Sequence, residues 1–445
     1  MEKLDRIEAG SPRHSAGMVG LSIVAILSIG PLILGKRPVQ LTSLDNRLLG
    51  FESRPFILAM MWLVIVYRAW LDRRTGLLQA LSINVCLGGA AIAVAGWHWY
   101  AIDSAFHAEP NGSLTPNEGG QKQLFEHILN REPKQGTFTL VPHVYRPLPY
   151  GFVRLLELLT GDWHFAHWSY HWFFTYWFFW ASWSFCRRYH ASSVASALVG
   201  WMILLYPFSL WYSGGQLIDP MSHALFVLAL NYIVTDQWGL LLLSLVLGVA
   251  AKETAVVLVV GYWSCYWRRG LPTVVRTVGL LLGCVLAYVA VRLPVGWIRS
   301  LAEEKSIFQS INATSGLMIW RNLRVLLDWA DYWPHGIENY LLPLLFVGPF
   351  VPGLIRNWRC TDRCLRALAV SVAPLVLTSS LCFSWLREAR NYMPLIPLMG
   401  SAAIAPGMTA QLWISRLGRR LTSRRFLTGI LAKPQSAPPG HIEAI

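Results

Sequence analysis

Charge is scarce in this chain. Only 14% of its 445 residues are Asp, Glu, Lys or Arg, against about 25% in ordinary soluble domains. That deficit, with so much apolar residue beside it, excludes a disordered or water-soluble protein. Cysteine is sparse too. The seven cysteines lie mostly within or at the ends of apolar runs, which excludes a disulfide framework of the kind that staples small secreted folds. There is no phosphate-binding glycine-rich loop, no Ser-His-Asp arrangement, no nucleotide-binding fold and no short-period repeat. No RNA- or DNA-binding module is present either, so nucleic acid is not an expected partner.

What the chain has in abundance is apolar and aromatic surface. Hydrophobic residues make up 54% and there are 22 tryptophans; the mean hydropathy is +0.41. These values describe a polytopic membrane protein whose first partner is the lipid bilayer. A helix needs about 20 apolar residues to cross a hydrocarbon core of about 30 Å. Runs of suitable length lie near 16–34, 55–71, 77–96, 166–185, 192–211, 218–235, 274–292, 337–355, 367–384 and 392–412. The polar segment Met1–His14 does not read as a cleavable signal, so the first run is expected to be retained.

The segment from Trp238 to Trp267 is apolar but interrupted by Lys252-Glu253-Thr254. It is either one long helix with a buried charge pair or two short helices meeting at that tripeptide. Positive charge arbitrates. The formal net charge of +14 resolves mainly into short basic clusters between apolar runs: Arg68, Arg73 and Arg74; Arg187 and Arg188; Arg268 and Arg269; Arg356, Arg359, Arg363 and Arg366; and the tail from Arg416 to Lys433. All fall on one side if Lys252-Glu253 is the outer turn of a hairpin. The expected fold class is therefore all-α, a transmembrane bundle of about twelve helices with both termini cytoplasmic. Lys36, Arg37, Arg47 and Arg54 depart from this register.

The expected organisation is an N-terminal helical segment, 1–96, then an outer loop, 97–165. A helical core follows over 166–415, with a second outer loop at 293–336, and a basic disordered tail over 416–445. Phe152–Leu159 has apolar residues at helical spacing beside Arg154 and Glu157, the pattern of a helix lying in the interface. Asn111-Gly112-Ser113 and Asn312-Ala313-Thr314 match the glycosylation acceptor pattern on these loops.

Four constellations could carry chemistry. Trp97-His98-Trp99-Tyr100 leads to Asp103, His107 and Glu109; an acid just past a helix end, under aromatics, suits a general base at the membrane surface. A solvated carboxylate near an aromatic belt is the commoner occurrence of this pattern. Tyr145-Arg146-Pro147-Leu148 fixes its backbone with proline, and Arg146 can grip a phosphate or reach lipid headgroups. Lys252-Glu253 places charge within apolar sequence, where charges line a cavity or form a turn that reaches water. Arg387-Glu388-Ala389-Arg390-Asn391-Tyr392 precedes the proline-containing last span. Metals find less support. His164, His167 and His171 share a helix face but interleave with Trp163, Trp168, Tyr170 and Trp172, the pattern of an aromatic belt. Cys360 and Cys364 lack two further ligands. No cofactor is evident.

In that order, Asp103, Tyr145-Arg146-Pro147-Leu148, the amphipathic Phe152–Leu159, Lys252 and Arg387–Tyr392 resemble the C-type superfamily of polytopic membrane glycosyltransferases. The resemblance spans about residues 77–412 and rests on short, degenerate motifs. It implies transfer of a sugar from a polyprenyl-phosphate donor to an acceptor, of a kind the motifs do not name, on the extracytoplasmic face with inversion. By the same resemblance Asp103 would be the base, and Arg146, Lys252 and Arg387 or Arg390 would neutralise the leaving phosphate; Glu253 and Glu388, singled out by their charge at those two turns, are expected to line the substrate site. That superfamily pairs acids in its first loop. Here Asp103 is followed by Ser104, and Glu109 is the acid that could complete a pair. Two alternatives compete: a transporter or flippase of a lipid-linked or anionic solute, using Lys252-Glu253 near the midplane, and a fold of this type without catalysis.

Overall fold

Long apolar stretches free of breakers satisfy their backbone hydrogen bonds internally, and helix is the local solution. A computed structural model of the chain describes residues 53–72, 76–106, 146–161, 163–210, 217–303, 318–327, 341, 343–384 and 388–404. Among them there is helix and turn but no strand. In chain order the helices are α1 (Ser53–Leu71), α2 (Leu77–Phe106), α3 (Pro147–Thr160), α4 (Trp163–Arg187), α5 (Ser192–Leu210) and α6 (Ile218–Val234). There follow α7 (Trp238–Ala251), α8 (Val257–Tyr266), α9 (Leu271–Glu303), α10 (Ile319–Leu327), α11 (Val351–Asn357), α12 (Arg363–Phe383) and α13 (Ile396–Ala403). Three segments are long and apolar enough to cross a membrane: Leu77–Gly96, Leu271–Pro294 and Arg363–Phe383. The expected first run, 16–34, lies outside the described residues, as do both glycosylation sequences and the basic tail.

The aromatic helix α4 is central, packed against α2, α3, α5 and α6. Its buried face includes Trp172, Tyr176, Phe178, Phe179 and Phe185. Trp172 Nε1 donates to the Gly88 carbonyl (3.1 Å) and Tyr176 to Asn84 Oδ1 (2.7 Å), tying α4 to α2. The lipophilic exterior is plain on α9, where Leu271, Val275, Leu282 and Leu286 are all exposed.

The Trp238–Trp267 segment is two short helices. Lys252 is extended (φ −162°, ψ 125°) and a single 3-10 turn, Glu253–Val256, joins α7 to α8. The two helices run in opposite senses. Tyr262 on α8 donates to Asp236 just before α7 (3.2 Å), and Tyr266 donates to the Ile233 carbonyl (2.6 Å). α9 then runs parallel to α7, because Trp238 Nε1 meets the Arg276 carbonyl at one end and Glu253 meets Arg292 at the other. Asp236 adopts a left-handed conformation (φ 53°) and its carboxylate accepts from both Arg269 and Arg276, locking three segment ends together.

That end also gathers other basic clusters. Arg188 donates to Asn231 (3.1 Å) and His190 bonds the Ser401 carbonyl (2.9 Å). Asn357 and Thr361 donate to the carbonyls of Ala403 and Ala402. Asp362 caps α12 by accepting from the amides of Cys364 and Leu365, which satisfies two otherwise free helix-end donors. The Lys252–Glu253 turn lies at the opposite end.

Several expected boundaries shift. α2 continues through Trp97–Phe106, because that stretch contains neither Gly nor Pro to stop it, so the 97–165 segment is not loop from its start. Within the same segment α3 covers Pro147–Thr160, started by its prolines and ended by Gly161 in the left-handed region (φ 66°). α9 runs through Pro294 to Glu303, and α10 also falls within the expected second loop. The 337–355 run is not one helix over its described part: a 3-10 turn at Gly348–Phe350 precedes α11, at Pro349 and Pro352. The 392–412 run opens with the 3-10 turn Met393–Leu395, and α13 gives way to extended backbone at Ile404. Cys265 and Cys364 form a disulfide between α8 and α12, with Cα atoms 4.8 Å apart. Separated by 99 residues, they were not recognisable as a pair from local spacing.

Candidate functional site

Opposite the Asp236 end, five segments distant in sequence bring seven charged side chains together. Arg146 immediately precedes α3, where Pro147 and Pro149 set the chain direction. It meets Glu253 through Nε (3.0 Å) and Nη2 (2.9 Å). The other oxygen of Glu253 accepts from Arg292 Nη2 on α9 (3.0 Å). Glu253 is thus clamped between two guanidinium groups at the head of its 3-10 turn.

Lys252 points to the other half of the cluster. Its Nζ donates to Asn391 Oδ1 (2.8 Å) and lies 3.6 Å from Asp219 Oδ1. Asp219 stands in the first turn of α6, only 4% exposed, and its second oxygen lies 3.3 Å from Arg390 Nη1. Arg390 Nη2 also bonds Glu388 Oε2 (2.9 Å). Glu388 accepts in addition from Ser384 and from Asn391. The 3-10 turn Ala389–Asn391, with Glu388 just before it, therefore presents Arg390 and Asn391 to one polar knot.

Four cations (Arg146, Lys252, Arg292, Arg390) face three carboxylates (Asp219, Glu253, Glu388), a formal surplus of one positive charge. Burial pushes the Lys252 ammonium down to about 8, although the Asp219 carboxylate pulls it up; Arg390 and Arg146 add to the depression. Burial alone would raise Glu253, but Arg146 and then Arg292 outweigh it and hold that carboxyl at about 2. Glu388 is likewise lowered: burial opposes, and Arg390, Ser384 and Lys252 prevail. A cluster in which cations outnumber anions attracts an incoming anion. Guanidinium and ammonium groups with restrained side chains suit phosphate oxygens.

Five of the site residues expected from sequence, Arg146, Lys252, Glu253, Glu388 and Arg390, are in this one cluster. Asp103 lies in the last turn of α2, so the acid is part of the helix and not beyond its end. Glu109 and Arg387 lie outside the described residues.

Sequence reasoning missed Asp219 and Arg292, and gave no role to Asn391 although it lies in the Arg387–Tyr392 constellation. The available signal for Asp219 was an acid, followed by proline, opening an apolar run; Arg292 resembled an ordinary basic flank of a span. It also missed the depth of the histidines. His98, His167, His171 and His223 are each at most 3% exposed. The belt expected for His167 and His171 would sit at a membrane interface; instead these rings are packed inside the bundle, in contact with each other (ring centroids 4.4 Å apart). Among the described residues no group of three His, Cys, Asp or Glu is placed to hold a metal ion. No family model matches the chain, and no curated protein or solved structure matches it.

Proposed function

We propose that the chain is a multi-pass membrane glycosyltransferase of the C type. It moves a sugar from a polyprenyl-phosphate donor to an acceptor on the extracytoplasmic face. In this reading the bundle has about twelve spans with both termini cytoplasmic, which the distribution of most basic clusters supports. One observation carries the reading: Arg146, Lys252, Glu253, Glu388 and Arg390, all expected from the sequence, share one partly buried ion cluster with a surplus positive charge. That cluster lies at the end of the bundle opposite Asp236 and its basic neighbours.

In the reaction, the acceptor hydroxyl oxygen attacks the anomeric carbon from the face opposite the phosphate. The new C–O bond forms as the bond to the phosphate oxygen breaks, and inversion follows. Asp103 takes the hydroxyl proton. The departing polyprenyl phosphate keeps the bonding electron pair, and Arg146, Lys252 and Arg390 stabilise its charge. Preorganised cations screened from water stabilise such a leaving group strongly. Asp219 and Glu388 act as positioning residues, holding Lys252 and Arg390 in place before the phosphate arrives.

The test is transfer in proteoliposomes from radiolabelled polyprenyl-phosphate sugars. Asp103→Asn and Lys252→Ala each abolish transfer while expression and solubility remain normal. Full transfer by Asp103→Asn removes that residue as the base. Uptake of solute into sealed vesicles, with no sugar transferred, replaces the enzyme by a transporter.

A further inference from the structure

Beside the ion cluster lies a group of side chains that phosphate neutralisation does not use. His98 on α2 and His171 on α4 are each 1% exposed, with ring centroids 4.2 Å apart. His167 extends the group one helical turn along α4, and the edge of Tyr206 on α5 meets the His98 ring at 5.9 Å. The group is contiguous with the charged half. Tyr170, next to His171, donates to the Leu217 carbonyl (2.6 Å), two residues before Asp219. Asp219 is within electrostatic range of His98 and His223.

None of the four ring nitrogens of His98 and His171 hydrogen-bonds to a protein group. Buried polar atoms normally have partners, and leaving several unmade beside one another weakens a fold. Phenylalanine at both positions would keep the ring contact without that cost, so packing alone does not account for two histidines. A metal does not account for them either, since no three-ligand set exists among the described residues. A charged ligand would find its counter-charges at Lys252 and Arg390 instead. What matches a pair of neutral imidazoles is a neutral hydroxylated group: each ring offers one donor and one acceptor, and each hydroxyl can both give and take.

The geometry points to a neutral subsite in which His98 and His171 bind the hydroxyl groups of the sugar whose phosphate lies at Lys252 and Arg390. This rests on the phosphate reading of the ion cluster. It assigns the two halves of one donor to two halves of one site: charge to α6, α7 and the Ala389–Asn391 turn, hydroxyls to α2 and α4.

The experiment uses the full chain in lipid nanodiscs. Binding is measured for a ten-carbon isoprenyl phosphate, bare and carrying a glucosyl, mannosyl or arabinosyl group. At least one glycosylated form binds about tenfold more tightly than the bare phosphate, the increment expected from a few buried hydrogen bonds. His98→Phe and His171→Phe remove that increment and leave the affinity for the bare phosphate unchanged. His98→Gln and His171→Gln, which retain a donor and an acceptor, preserve part of it and control for folding. Equal weakening of bare and glycosylated phosphates by the Phe variants overturns the subsite, as does a stoichiometric metal ion lost from both variants. If the bare phosphate binds through Lys252 but no sugar adds to it, the subsite fails alone. If the unsubstituted protein binds no phosphate, the phosphate reading fails and takes the subsite with it.

Discussion

Arg146 and Glu253 are 107 residues apart and joined by two contacts, from Nε at 3.0 Å and Nη2 at 2.9 Å to the same carboxylate oxygen. This pair attaches the start of the amphipathic α3 to the turn between α7 and α8. Arg292 brings α9 to the same carboxylate. Three elements are therefore held by one acid, which makes Glu253 a structural centre as well as a charge.

The pair should be energetically coupled. A double-mutant cycle of Arg146→Ala and Glu253→Ala, read by thermal unfolding in detergent, is expected to give an interaction energy of about 2 kcal/mol. Glu253→Ala should be the worse single change, because it leaves two guanidinium groups facing each other. Strict additivity of the two substitutions would mean that the contact contributes nothing.

How much of this was legible depended on contrast. Lys252 and Glu253 stood out because charge inside an apolar run is costly and therefore informative. Arg146 stood out through the prolines after it, and Glu388 and Arg390 through charge density ahead of a proline-containing run. Asp219 lacked contrast: an acid at the start of a helix is ordinary helix chemistry. Only the fold shows that it neutralises Lys252 and Arg390, respectively 33 and 171 residues away. His171 was hidden by its aromatic neighbours, since a belt and a packed interior share the same composition. The helical class followed from long apolar runs. Helix ends did not, because Trp97–Phe106 and Pro294–Glu303 continue as helix where hydropathy falls.

The cluster should respond to pH in two opposite ways. Lys252 titrates at about 8, below the 10.5 of an ordinary lysine. Between those values the unfolded chain holds a proton that the folded chain has released, so the Lys252 contribution to stability rises with pH across that window. Phosphate binding runs the other way, because it needs the ammonium. Affinity for a bare isoprenyl phosphate should fall as pH rises through about 8, and Lys252→Arg should remove that limb of the profile. At the acid end, Glu253 is held at about 2 against an ordinary 4.5. Its stabilising contribution is present above 4.5 and lost as pH falls through 2. An affinity profile indifferent to Lys252→Arg would place the titrating group elsewhere.

Close backbone approach at the Asp236 end gives a prediction independent of chemistry. A Cβ at Gly353 on α11 would stand 2.7 Å from the Ala403 carbonyl oxygen and 3.0 Å from the Ala403 side chain. That carbonyl is also the acceptor for Asn357 (2.7 Å), so moving the helices apart disturbs a second interaction. Gly353→Ala should therefore destabilise the protein by about 2 kcal/mol. At Gly200 on α5 a Cβ meets nothing within 4 Å. Gly200→Ala should leave the protein unchanged or stabilise it by up to about 1 kcal/mol through helix propensity. Melting of the two variants side by side checks both signs.

The hairpin of α7 and α8 makes the sharpest topological prediction. α7 has 14 residues, about 21 Å of helix at 1.5 Å per residue, against a hydrocarbon core of about 30 Å. With the outer turn of the hairpin expected at Lys252 and Glu253, so short a helix needs protein and not lipid around that turn. Their partners fit this placement: Arg146, Arg292, Asp219 and Asn391 supply the polar contacts that the bilayer would not. Single cysteines in a cysteine-free background, probed with a membrane-impermeant maleimide in oriented vesicles, resolve the two ends. Gly161→Cys at the end of α3 should label from the outer side. Gln237→Cys and Gly270→Cys, which flank the hairpin and are exposed, should label from the cytoplasmic side. Val256→Cys, in the turn itself, should label from the outer side but more slowly than Gly161→Cys. Labelling of Gln237→Cys and Val256→Cys from the same side at equal rates would mean that α7 does not cross, and the charge cluster would then belong to neither half of a transmembrane site.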